Sequence, residues 1–213
     1  MSKMFLAAVA MSFLVSCGDK SDKGTDKDGD ALNVLSATGE WTSNCVPNDT
    51  PIADKDLYVI HKIKYKGNSY TDSITAYYSE DCSHSEDLRL ERKGTYRLEN
   101  KTLSLLGDEE VVFDYDDFAL AYSLTPLSPS REASLNLGAV CDRTGWKTGK
   151  PFAVTGRTCW GKKLFSSSAT YTILLQRKVG GDSRVFLGLL TPEYDGSSKE
   201  KRARLINENL YFR

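Results

Sequence analysis

The chain has 213 residues, with 28 Lys and Arg against 29 Asp and Glu and a formal charge of -1. The two signs alternate along its length, so no single-sign block marks a nucleic-acid surface, and nucleic acid is not an expected partner. Five cysteines and two histidines, with no Cys-x-x-Cys spacing, form no zinc-ligand pattern, and no metal site or cofactor is expected.

Lys3 is followed by Met4 to Val15, apolar apart from Ser12. That run falls short of the roughly 20 residues a helix needs to cross a bilayer, so it predicts a cleaved signal and not a lasting span. It closes on Leu14-Val15-Ser16-Cys17, which resembles the lipobox of exported bacterial lipoproteins. The resemblance implies that residues 1–16 are a signal peptide and that Cys17 becomes the acylated first residue, holding the protein to a membrane. Several acyl chains at about 0.8 kcal/mol per buried CH2 make such an anchor durable. Gly18 stands where, in that family, an Asp favours retention at the inner membrane, so the expected address is the outer membrane of the cell envelope.

Residues 17–34 hold the lipidated Cys and a linker. From Gly18 to Asp30 the chain contains only Gly, Ser, Thr, Lys and Asp, with nothing to bury, so a solvated tether is expected. Asp26-Lys27-Asp28-Gly29-Asp30 starts like a calcium loop, but Ala31 and Ala37 occupy its sixth and twelfth positions, where Gly and a bidentate carboxylate are needed.

The folded domain is read as residues 35–213. Alternation of apolar and polar residues predicts strands at Leu57 to Tyr65, Ser69 to Ser79, Leu88 to Leu98, Thr102 to Leu106, Val111 to Tyr115 and Phe118 to Leu124. Turns are expected at Lys66-Gly67-Asn68 and Asn100-Lys101. Pro126 to Ser168, rich in Pro, Gly, Ser and Thr, reads as a long excursion without regular sheet. Further strands are expected at Tyr171 to Val179, across the Gly180-Gly181-Asp182 turn to Val185 to Leu190, and at Ala203 to Arg213. About eight to ten strands on short turns imply an all-β antiparallel barrel or sandwich.

Gly39-Glu40-Trp41 opens the first strand of this series. Gly-x-Trp at that place, followed by antiparallel hairpins, resembles the lipocalin and broader calycin barrels. The resemblance implies a lipocalin-like β-barrel, with Gly39 and Trp41 closing one end, and a loose match of Arg213 to the Arg that packs on the Trp. The block Cys141 to Cys159 is similar in style to small lipocalin-like lipoproteins of Gram-negative bacteria.

Setting Cys17 aside leaves Cys45, Cys82, Cys141 and Cys159, an even number in an exported chain, so disulfides are expected. They can pair in three ways. Cys45 with Cys82 and Cys141 with Cys159 is the pairing expected, because each pair lies within one compact stretch.

No nucleophile elbow, zinc helix or phosphate loop is present, so no enzyme is expected and no catalytic residue is assigned. His61 falls on the apolar side of its strand as a core histidine, and His84 lies in a polar loop. The acidic runs Asp108-Glu109-Glu110 and Asp114, Asp116, Asp117 have no separation that sequence can supply. Inward aromatic residues Tyr70, Tyr78, Tyr96, Tyr122, Tyr171 and Phe186 are the candidates for an axial pocket holding a small apolar or amphipathic ligand. The alternative is an interaction module with a filled core, contacting an envelope protein through the region from Gly145 to Trp160, where Trp146 and Trp160 would be exposed anchors.

Overall fold

The computed structural model describes residues 39–48, 56–103, 110–160, 163, 168–179 and 182–213. The signal segment, Cys17, the linker, Asp108-Glu109 and the Gly180-Gly181 turn lie outside the described residues. Strands β1 (Gly39–Thr42) and β2 (Val46–Pro47) both pair with β3 (Tyr58–Lys66), which leads into β4 (Ser69–Tyr77). In β3 the residues Val59, Ile63 and Tyr65 are buried while Lys62, Lys64 and Lys66 face water, the alternation of a strand with one face in a core. Lys66 opposes Ser69, leaving a two-residue loop whose Gly67 has a φ of +58°, the region a tight hairpin turn asks of glycine.

Next come β5 (Glu86–Leu103), β6 (Glu110–Pro126), helix α1 (Pro129–Leu137), β7 (Phe152–Ala153), β8 (Ser168–Val179), β9 (Asp182–Leu189) and β10 (Leu205–Phe212). The main strands form one antiparallel sheet in the order β1-β3-β4-β5-β6-β8-β9-β10, with β2 and β7 as short additions. The sheet curls until its edges meet. Ser43 bridges Phe212, and Thr42 and Arg213 exchange backbone hydrogen bonds of 3.2 and 3.1 Å. At the same place the Ser43 hydroxyl accepts from the His61 amide at 2.9 Å, taking a carbonyl's place in the ladder. The all-β barrel architecture expected from the hairpin series is the one found.

Two expected breaks are absent. The chain runs straight through Asn100-Lys101, where one extra residue on β5 makes a bulge between the pairs Glu99 with Asp114 and Thr102 with Val112. It also runs through Asp116-Asp117, whose carboxylates are neutralised on opposite faces, by Arg202 outside and Arg92 inside. Each pair of short strands is therefore one long strand. A second bulge, at Lys93-Gly94, puts the extra residue on β6. A Cβ on Gly94 would come within 2.2 Å of the Phe118 carbonyl oxygen, so only glycine allows the close approach by which the sheet bends here.

The excursion after β6 contains a helix that the sequence reading left irregular. Ser128 caps it, accepting from the Arg131 amide at 3.0 Å, and Pro129 occupies its first turn, two start signals that needed no periodicity. Disulfides join Cys45 to Cys82 and Cys141 to Cys159, the expected pairing. One apolar cluster, with Val59, Leu88, Leu124, Leu135, Trp146 and the Cys141–Cys159 bridge, packs the excursion on the sheet. The other, with Ile63, Tyr65, Tyr70, Phe113, Leu174 and Phe212, fills the barrel.

Candidate functional site

Trp41, opposite Ile63, packs its partly buried ring against the barrel cluster. Arg213 meets this strand through its backbone. The space between Trp41, Ile63, Tyr65, Val185, Leu187 and Phe212 is about 10 Å³, no more than about one water requires.

The six aromatics expected to line a pocket do not converge. Tyr70 and Tyr96 are buried inside the barrel, and Tyr122 packs half-buried against the excursion cluster. Tyr78 is instead 55% exposed, because the pairing of β4 with β5 slips between Ala76 and Tyr77. Tyr171 and Phe186 lie on the outer face, and the inward positions belong to their neighbours' alternates Leu174 and Val185. Tyr171 is approached from outside by Arg202, 5.8 Å from its ring, and Phe186 packs on Tyr211 at 6.1 Å.

Between the two apolar clusters the interior carries charge. Asp72 and Arg92 are cross-strand partners, as are Arg92 and Tyr122. Arg92 bridges two carboxylates, reaching Asp72 at 3.3 Å and Asp117 at 2.9 Å. Tyr70 donates to Asp117 at 2.5 Å, and His61 Nδ1 stands 3.5 Å from Asp72. Both carboxylates are almost wholly buried, 2% and 3% exposed. Burial raises the Asp72 carboxyl, but His61 and Arg92 outweigh it and hold the group below the usual carboxylate range. For Asp117 burial wins over Arg92 and Tyr70, and its carboxyl is pushed up. The same burial raises the Tyr65, Tyr70 and Tyr115 hydroxyls. These groups are directed at one another, which is how a charged layer is tolerated inside a fold.

The two shifts have opposite signs in stability. The contribution of Asp72 is complete above the ordinary carboxylate value of 3.8 and is lost as pH falls below it. Asp117 binds its proton more tightly folded than unfolded, so its contribution declines as pH rises from 3.8 towards its folded value. Urea midpoints taken from about pH 3 to 7 should therefore show that Asp117→Asn removes a decline on the rising side. Asp72→Asn should flatten the acid limb. Identical profiles for wild type and both variants would contradict this assignment.

A second polar-aromatic site lies on the flank, in the excursion. Phe152 on β7 pairs with Leu124 of β6. The Arg143 guanidinium lies 3.6 Å from the centre of its ring and that of Arg157 4.9 Å. Trp146 packs on it edge-to-face at 5.3 Å. The backbone is pinned by Asn136 at the end of α1, whose Oδ1 accepts from the Gly145 and Trp146 amides at 2.7 and 2.8 Å. Lys147 and Lys150 are the corners of one turn, closed by a 3.0 Å hydrogen bond and made possible by Gly149 at a φ of +73°. Arg143, Gly145, Trp146, Lys147, Lys150 and Phe152 line an open depression of about 260 Å³, and Arg157 is not part of its lining.

Trp146 is not an exposed anchor. It is 2% exposed, donates Nε1–H to the Val140 carbonyl at 3.3 Å and packs in the cluster with the Cys141–Cys159 bridge. Trp160 is partly open at 38%. His84 lies in the exposed loop after Cys82, hydrogen-bonded to Ser83. Among the described residues no three His, Cys, Asp or Glu side chains come together as a metal-ligand set. Sequence reasoning named Asp117 only within an acidic run, and it missed Asp72 and Arg92 beside it inside and Arg143, Lys147, Lys150 and Phe152 on the flank. No family model matches the chain, and no curated protein is significantly similar to it.

Proposed function

We propose that this protein is a lipid-anchored, non-enzymatic binding module of the bacterial cell envelope, held at the outer membrane through Cys17, and that it recognises its partner on the flank and not along the barrel axis. The carrying observation is the flank depression, where aromatic rings and basic side chains converge on a backbone tied by Asn136 and a disulfide. A small apolar guest in the axis, which the lipocalin resemblance implies, would have to displace buried tyrosines and enter a layer of ionised groups. An amphipathic guest finds both kinds of contact on the flank. An envelope protein would meet the same rigid surface.

The test has two parts. Labelling cells with a palmitate analogue should mark the wild-type protein in the membrane fraction, and Cys17→Ser should abolish both label and membrane association. A photo-crosslinking residue at position 150 should yield a discrete adduct in cells, while the same residue at position 64, on the outer face of β3, should not. A ligand retained in native mass spectrometry by a protein without position-150 adducts would return the site to the barrel axis.

A further inference from the structure

At several places on this protein clustered cations are matched by carboxylates. Arg92 holds Asp72 and Asp117, Arg202 holds Asp114 and Asp116, Lys199 holds Glu99 and Asp116, and Arg131 holds Asp87. The flank depression departs from this pattern. Among the described residues, none of Arg143, Lys147, Lys150 and Arg157 makes an ion pair, and Arg143 Nε is buried with no hydrogen-bond partner. Glu132 accepts from the Thr148 amide and hydroxyl at 2.6 and 2.7 Å, and these bonds, with a smaller contribution from the Lys147 charge, hold its carboxyl below the usual range without an ion pair. Asp142, next in the chain to Arg143, makes no ion pair with it.

Two guanidinium groups gathered on one phenyl ring repel each other, and the turn from Lys147 to Lys150 adds two ammonium groups at the rim. A cation on an aromatic face is attracted by the ring's quadrupole, more strongly the more it is desolvated. That attraction fixes each guanidinium in place without cancelling its charge. Planar guanidinium forks on a rigid support, with flexible ammonium groups beside them, suit a tetrahedral oxyanion. The depression is below the roughly 300 Å³ of small drug-sized pockets, and it accommodates one phosphate with a few attached atoms.

Resting on the flank-binding reading above, we propose that this depression binds a phosphate group carried on a small organic body, with the phosphate on Arg143, Lys147 and Lys150 and the attached carbon atoms against Phe152. A free phosphomonoester and an anionic phospholipid headgroup share this chemistry.

The mature full chain in neutral detergent, with its amides labelled for NMR, is titrated separately with inorganic phosphate, glycerol 3-phosphate and monomeric short-chain phosphatidylglycerol. Saturable shifts centred on Gly145, Trp146 and Phe152 are expected. Lys147→Gln/Lys150→Gln, both at exposed positions, should weaken binding about tenfold while leaving the rest of the spectrum unchanged, and Arg143→Gln should weaken it further. Glycerol 3-phosphate binding as tightly as the phospholipid identifies a soluble phosphate ester. Preference for the phospholipid identifies the headgroup. Absence of saturable shifts with all three probes, or binding unchanged in both variants, overturns the proposal. If the probes fail but position 150 still crosslinks in cells, the binding-module reading stands without the phosphate. If both fail, both fall.

Discussion

Arg92→Leu should lower the unfolding free energy by about 3–5 kcal/mol at neutral pH, the cost of breaking a buried pair from one side. With a typical total of about 5–15 kcal/mol, that brings the fold near its limit. Among the described residues Arg92 is the one cation that touches both Asp72 and Asp117, and removing it leaves two buried carboxylates with only His61 and the Tyr70 hydroxyl, of those residues, beside them. Protonation relieves this, so the loss should shrink as the pH is lowered into the carboxylate range. The triple variant Arg92→Leu/Asp72→Asn/Asp117→Asn should recover most of the stability at neutral pH, because no uncompensated charge remains. Urea unfolding of the three proteins at two pH values checks it. A loss that is the same at both pH values and is not rescued by the triple variant would mean that Arg92 acts through packing alone.

The second large effect is expected at Arg131→Met. Asp87, near the start of β5, has no exposed surface, and its Oδ2 accepts from Arg131 at 2.6 and 2.5 Å. Arg131 belongs to α1, so this pair is the charged pin that docks the helix on the sheet, next to the buried Leu135. Methionine keeps the apolar stem and loses the charge. About 3–5 kcal/mol should be lost, and the loss should be concentrated where the helix docks. Amide exchange in 129–137 and around Trp146 should accelerate well before exchange in β3 and β4. A uniform acceleration across the sheet would show that the excursion and barrel unfold as one unit.

The barrel was legible because most strands bury one face. Val59, Ile63 and Tyr65 share a parity that points inward, and the turn at Gly67-Asn68 sets the register of the first hairpin. The interior charges were written in the same pattern but look like solvent-facing residues. Asp72 has the parity of Tyr70, Ile74 and Ala76, and Arg92 that of Leu88 and Leu90, so an acid and a base on apolar faces were the available signal. Parity failed in β8 and β9 for a different reason. The segment from Thr191 to Arg204 lies over their outer face, and Arg202 donates to the Thr172 carbonyl at 2.7 Å and to Asp116 at 2.6 Å. Both Leu174 and Leu175, and both Val185 and Phe186, are consequently buried, so alternation no longer distinguishes inside from outside. The flank site could not be read as a site at all. Its cations come together only after the Cys141–Cys159 bridge, the Asn136 hydrogen bonds and the Gly149 turn have folded the excursion.

The seam between the first and last strands carries a kinetic cost. It joins Asn44 to Tyr211, whose amide donates to the Asn44 side chain at 3.0 Å across 167 positions of sequence. Contacts of such high order form late, because almost the whole chain must be ordered before they reward closure. Until they form, two strand edges stay open as templates for pairing with other chains. The chain is thus most vulnerable to aggregation in the interval before its two ends meet.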